Sequence, residues 1–128
     1  MSRITIITEG APEPVGPYSQ GVRAENLVFV SGQIPVDPNT GELVEDDVRV
    51  QAKMALKNVE SVLVAGNSSL DMAVKMTVYL SDIADFPAVN DVFSEYFSKQ
   101  LPAREAIQAA GLPRGAKIEI SAIGLART

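Results

Sequence analysis

An α+β fold, with two helices packed on one face of a mixed β-sheet, is what the order of periodic segments predicts. Two stretches space their apolar residues with a helical period, and the others alternate with period two. Their order is strands, helix, strand, helix, two strands, and two helices cover only one face of a sheet. A third observation is what this arrangement leaves bare. Ile123 and Leu125 fall on the opposite face, and Leu27-Val28-Phe29-Val30 is apolar on both sides. We expect another copy of the chain to cover that face in a closed homo-oligomeric ring. Polar residues among these strands would then sit at subunit boundaries, where ligand clefts form readily.

Ile4-Thr5-Ile6-Ile7 reads as a short first strand. Gly10 to Gly16 is a loop rich in proline and glycine. It leads into Gly16-Pro17-Tyr18-Ser19-Gln20-Gly21, where two glycines and a proline set a turn and permit close backbone approach. Taken alone, Tyr18 is a half-buried aromatic with its hydroxyl in water. Val22 to Ala24 and Leu27 to Ser31 are strands joined by a tight turn at Glu25-Asn26. Ser31-Gly32-Gln33-Ile34-Pro35 ends the second, and Gly32 marks a bulge or offers a bare N–H to a ligand. Val36 to Leu43 reads as a surface turn.

The first helix is expected from Val48 to Ala65, capped by Asp47, with Gly66 as its C′ residue. Val48, Ala52, Ala55, Leu56, Val59 and Leu63 form its buried stripe, and Arg49, Lys53, Lys57 and Glu60 face water. A half-polar strand follows, with Val74, Met76, Val78 and Leu80 alternating with Lys75, Thr77, Tyr79 and Ser81. The second helix is expected from Phe86 to Lys99. Asp85 is its cap, Pro87 lies in its first turn, and Phe86, Val89, Phe93, Tyr96 and Phe97 form its apolar stripe. Asn90 lies beside that stripe. Ala103 to Ala109 and Lys117 to Leu125 close the chain as strands.

The last two strands each carry one conspicuous charge. Alternation puts Arg104, Ala106 and Gln108 on one face of their strand, and Glu119 lies between Ile118 and Ile120. A lone Arg and a lone Glu inside strands are paired with each other, held at a wet rim, or placed for a ligand. Residue types alone favour the first two. Glu105 points away from Arg104, toward the helix side or the strand's wet end.

Composition removes much of the usual catalytic repertoire. At 128 residues the chain is expected to form a single domain over 1–128. A 46% hydrophobic and 21% charged content is that of a folded protein rather than a disordered one. With 11 Lys+Arg against 16 Asp+Glu, the formal charge of −5 argues against broad nucleic-acid binding. There is no cysteine and no histidine, so thiolate nucleophiles, imidazole bases and their metal sites are excluded. Any chemistry must use carboxylates, Arg, Lys, Tyr, Ser, backbone groups and water. No apolar run approaches the roughly 20 residues of a bilayer span. The first residues lack the pattern of a secretion signal, and a cytoplasmic protein is the expectation.

Four stretches together resemble the RidA family, also called YjgF/YER057c/UK114, the reactive-intermediate imine deaminases. They are Gly16-Pro17-Tyr18-Ser19-Gln20-Gly21, Ser31-Gly32-Gln33-Ile34-Pro35, Asp85-Phe86-Pro87-Ala88-Val89-Asn90, and Pro102-Ala103-Arg104 with Ile118-Glu119-Ile120. The resemblance implies a chorismate-mutase-like α+β fold and a homotrimer with clefts between subunits. It implies hydrolysis of 2-imino or 2-enamino acids, released by pyridoxal-phosphate dehydratases, to 2-keto acids and ammonia, with no cofactor and no metal. It also implies roles. Arg104 would bind the substrate carboxylate, and Glu119 would orient water or the imine nitrogen. Tyr18 would line the cleft from a neighbouring subunit, Ser31 and Gly32 would give backbone contacts, and Asn90 would shape the pocket. Many members carry a cysteine two residues after the arginine. Here that residue is Ala106, which keeps a backbone role but no thiol chemistry. Glu105 replaces a small or apolar residue.

The chemistry suits these residues. Arg grips a carboxylate bidentately, and an imine is already electrophilic, so hydrolysis asks only for a positioned water and proton transfer. A reading from another class keeps the Arg104 cleft but makes it a non-catalytic binder of small carboxylates, as a regulatory module. A ribonuclease role is least favoured: the chain is acidic, lacks His, and has only 5% aromatic residues to stack on bases.

Overall fold

A computed structural model describes residues 2–127. Its elements, in order, are β1 (Arg3–Ile6), β2 (Gly21–Ala24), β3 (Leu27–Gln33), β4 (Val36–Asp37), β5 (Glu42–Leu43), α1 (Val48–Ala65), β6 (Ala73–Leu80), α2 (Phe86–Tyr96), β7 (Ala103–Gln108) and β8 (Ile118–Leu125). Six strands make one mixed sheet in the order β1-β2-β3-β8-β6-β7, and β4 pairs with β5 in a small hairpin. Among the described residues only β6 and β7 run parallel. Parallel neighbours cannot be joined by a tight hairpin, and α2 lies in the connection between them.

The core lies between this sheet and the two helices. Val28 and Val30 of β3, Met76, Val78 and Leu80 of β6, and Ile118, Ile120 and Ala122 of β8 are buried against Ala52, Ala55, Leu56, Val59, Val62 and Leu63 of α1 and Val89, Val92 and Phe93 of α2. The other face carries no helix. Strand alternation puts Leu27, Phe29, Lys75, Thr77, Tyr79, Glu119, Ser121, Ile123 and Leu125 there, half-buried or exposed. The α+β class with both helices on one face is as expected, and so is an apolar remainder on the open face.

Several local expectations need correction. The first strand is Arg3–Ile6, and Ile7 falls outside it and is exposed. The first helix has the expected bounds, with Asp47 Oδ1 accepting from the N–H groups of Arg49 and Val50. Gly66, however, is not left-handed: its φ is −91°, and Asn67 takes the positive φ of 67°. Glycine is needed at 66 for space, since a Cβ would come within 2.7 Å of Ile6 Cδ1 and 3.0 Å of Val28. The 36–43 segment is the β4–β5 hairpin rather than a surface turn, and Val36 is buried. Val74 points outward, because the β6–β8 register shifts between Ala73 and Lys75 and gives the inward place to Ala73. The second helix stops at Tyr96, where Phe97 turns extended and buries its ring 5.6 Å from that of Phe93. Asp85 makes no side-chain cap; Asp82 caps the preceding 3₁₀ turn through the Ala84 N–H.

Candidate active site

Arg104 projects from β7 toward the helices. Its register partner on β6 is Met76, and Ala106 pairs with Val78, both inward-facing residues. On α2, Phe86, Asn90 and Phe93 stand at i, i+4 and i+7, which is one line along a helix. Arg104 lies along that line. Its Nη2 donates to Asn90 Oδ1 at 2.7 Å, and its Cζ is 5.4 Å from the Phe86 ring centroid and 5.2 Å from that of Phe93. Among the described residues no carboxylate forms an ion pair with it. An open cavity of about 540 Å³ adjoins the guanidinium, walled by Phe93, Phe97, Leu101 and Pro102. Ala106 is half-buried against the core, so its methyl packs while β7, a sheet edge, keeps backbone groups unpaired on its outer side.

Glu119 belongs to the other face. It pairs across β8–β6 with Tyr79, and its carboxylate lies against Gly32. A bulge creates that contact. Val30 pairs with Ala122 and Gln33 with Ile120, so Ser31 and Gly32 together oppose Ser121. A Cβ at position 32 would stand 2.9 Å from Glu119 Cδ, so glycine is required there to leave room for the carboxylate. Burial pushes the Glu119 carboxyl pKa above its usual range. Ser31 ties the bulge to the Tyr18 turn: its Oγ donates to Ser19 O at 2.6 Å, and its N–H to Gln20 O at 3.0 Å. The Tyr18 side chain is 51% exposed.

Ser31, Gly32 and Glu119 therefore form one cluster, to which Ser31 ties the backbone of the Tyr18 turn, and Asn90, Arg104 and Ala106 form another. They lie on opposite faces of the sheet, so one copy of the chain does not bring Arg104 and Glu119 together. A salt bridge between these two charges within one copy of the chain, the simplest reading of their residue types, is not formed. Glu105 does point away from Arg104, but onto the open face rather than the helix side. There it meets Lys75 Nζ at 3.2 Å and Thr77 Oγ1 at 3.4 Å, so it does not neutralise Arg104.

Two supporting residues escaped the sequence reading. Gln20 is a buried amide that accepts from the Thr8 N–H and donates toward Thr8 O, Ala11 O and Pro12 O, fixing the loop behind the Tyr18 turn. Asn58 on α1 donates to Ile34 O and Val36 O, holding the chain that leaves the bulge. The signal for Asn58 was present: a polar residue on the buried stripe of α1, one turn from Ala55 and Val62. Among the described residues no group of three carboxylates converges on a metal-sized space.

A family model described as Endoribonuclease L-PSP matches residues 8–126. The chain belongs to this family, the RidA/YjgF proteins. It is 46% identical to a RutC family protein of Pyrococcus abyssi, over 96% of this chain and 97% of that protein. It is 45% identical to the 2-iminobutanoate/2-iminopropanoate deaminase of Homo sapiens, over 96% and 90% of the two chains. The crystal structure of Escherichia coli TdcF with bound serine superposes with a TM-score of 0.92 at 42% identity, covering 98% of this chain and 99% of that one. Of the four RidA/YjgF stretches, Ser31-Gly32 and Glu119 form the open-face cluster, with the Gly16–Gly21 stretch joined to it through Ser31, and Asn90 and Arg104 belong to the helix-side cluster.

Proposed function

We propose that this chain is a hydrolytic deaminase of reactive 2-imino and 2-enamino acids. It would convert them with water to 2-keto acids and ammonia, the activity named for its human and other mammalian relatives. One observation carries the reading: Arg104 is an exposed guanidinium held by a neutral amide and two rings, with its charge uncompensated. That is a receptor for a small anion, and its planar fork matches a carboxylate.

In this reading the substrate carboxylate sits on Arg104, which Asn90 orients, and backbone groups near Ala106 contribute. Gly32 and Ser31 present backbone to the reacting end, and Tyr18 walls the cleft. Glu119 takes a proton from water as the water oxygen bonds to the imine carbon. It returns that proton to the nitrogen, giving a carbinolamine, and then relays the carbinolamine's hydroxyl proton to the same nitrogen as the C–N bond breaks, so that the ketone and ammonia form. A carboxyl pKa raised by burial makes Glu119 a better proton acceptor than an ordinary glutamate. No cofactor or metal is required. Because the two clusters face opposite ways, the working cleft is built from Arg104 of one copy and Glu119 of the next. We propose a homotrimer with three such clefts, its open sheet faces turned inward. We also assign the chain to the cytoplasm.

The test couples a threonine dehydratase to this protein and follows 2-ketobutyrate while semicarbazide competes for the imine. Wild type is expected to accelerate release. Arg104→Ala is expected to lose about 100-fold or more of kcat/KM with the assembly intact by sedimentation. A folded wild type that gives no acceleration would sink the enzymatic reading. A second reading, a non-catalytic binder of small carboxylates, draws support from the bound serine in TdcF. In that case the wild type binds 2-ketobutyrate through Arg104 and leaves the imine lifetime unchanged. Recognition of nucleic acid is not part of either reading, given the net charge of −5.

A further inference from the structure

The neighbours of Arg104 are chosen in an unusual way. An arginine at the surface is fixed in place either by a carboxylate, which also cancels its charge, or by neutral groups, which leave it. Here three neutral groups on one helix line do the holding. Asn90 Oδ1 takes one N–H at 2.7 Å, and the Phe86 and Phe93 rings lie 5.4 and 5.2 Å from Cζ. Ring faces attract a cation without neutralising it. Among the described residues the Asn90 bond is the one hydrogen bond the guanidinium makes, so the remaining N–H donors stay free for a ligand. Phe93 is 6% exposed and part of the core, so its ring is held rigidly.

We infer that Phe93, with Phe86, is a positioning residue: its ring holds the Arg104 guanidinium in the orientation that receives the carboxylate while keeping its full charge. This rests on the reading of Arg104 as the carboxylate-binding group. A flexible arginine would have to be ordered each time substrate bound, and the rings remove that cost in advance.

Two measurements on the assembled protein test it. One is KM and kcat in the coupled imine assay; the other is calorimetric binding of 2-ketobutyrate, an unreactive carboxylate probe. Phe93→Leu keeps apolar volume and deletes the ring. It is expected to raise KM and the 2-ketobutyrate Kd about fivefold, with kcat nearly unchanged. Phe93→Tyr keeps the ring and should restore both. Val92→Ala, fully buried on the same helix but without a ring, serves as the structural control. It should lower Tm and leave KM and Kd alone. The inference is overturned if Phe93→Leu binds 2-ketobutyrate like wild type, or if Val92→Ala weakens binding equally. If wild type does not deaminate but binds 2-ketobutyrate and Phe93→Leu weakens that binding, the clamp stands and the enzymatic reading falls. If wild type neither deaminates nor binds, both fall.

Discussion

The two faces of the sheet are built from the same strands and have little else in common. On the covered face, Met76, Val78, Leu80, Ile118 and Ile120 are almost wholly removed from water. On the open face, the alternate residues of those strands are Lys75, Thr77, Tyr79, Glu119, Ser121 and Ile123. Phe29 and Leu125 on that side each remain 40% exposed. Period-two alternation alone generates this contrast. It teaches that folding draws mainly on one half of the residue set, while the candidate site draws on both, Glu119 from the open face and Arg104 from the rim of the covered one. The covered face supplies the hydrophobic stabilisation, while the open face holds a costly carboxylate and an apolar surface that one copy leaves unfinished. Arg104 belongs to the covered side but lies at its rim, on an edge strand, where the helix line reaches out over water.

The largest effect expected comes from substitutions that separate the faces. Leu56→Ala opens a cavity beneath the covered face and should cost about 3 kcal/mol in denaturant unfolding, the usual toll for a fully buried leucine. Ile123→Glu on the open face should leave the secondary structure intact and dissociate the proposed homotrimer. Sedimentation equilibrium would then read a monomer, and the Tm would lose its dependence on protein concentration. If Ile123→Glu unfolds the chain as Leu56→Ala does, the division between faces is wrong. If it leaves the assembly unchanged, the open face is not the surface the copies share.

Much of this was legible in the sequence, for physical reasons that also explain the failures. Helix α1 was readable to its ends because an Asp cap and a run of apolar residues at period 3.6 agree. Arg104 and Glu119 were visible as charges in strands, but whether they met was not. Face is fixed by register against β6, and register depends on pairings distant in sequence. Val74 misled because a register shift inverts its side without leaving a local mark. Gly66 misled because the need for glycine came from Ile6 and Val28 packing on it rather than from its own φ. The end of α2 was overrun because Phe97 continues the apolar stripe while serving the core from an extended backbone.

Gly32→Ala probes the next smaller effect, at the point where the open face narrows onto its carboxylate. The glycine adopts no positive φ; its role is room for Glu119. An added methyl must displace the carboxylate rather than the strand, since the bulge is tied down by Ser31 and Asn58. The expected outcome is a tenfold or greater loss of kcat, of the order of 1.4 kcal/mol, with Tm nearly unchanged. A Tm that falls with activity, or activity that survives, would mean that Glu119 does not occupy the place its packing against Gly32 implies.

The smallest effect is the most diagnostic, because activity and stability should move in opposite directions. Burial raises the Glu119 pKa above that of the unfolded chain. Between the two values the folded protein holds more protons than the unfolded one, so stability falls as pH rises through that window and stays lower above it. Glu119→Gln removes the titration but keeps the shape. Near neutral pH the variant should melt higher than wild type, and the gap should close as the pH drops below the glutamate range. Deamination should meanwhile be lost, since an amide cannot take the water proton. Thermal melts across pH, run beside the coupled assay, read both. A variant that is inactive and also less stable at neutral pH would make Glu119 a structural partner of the bulge. One that is more stable yet fully active would remove it from the chemistry and leave proton transfer to water alone.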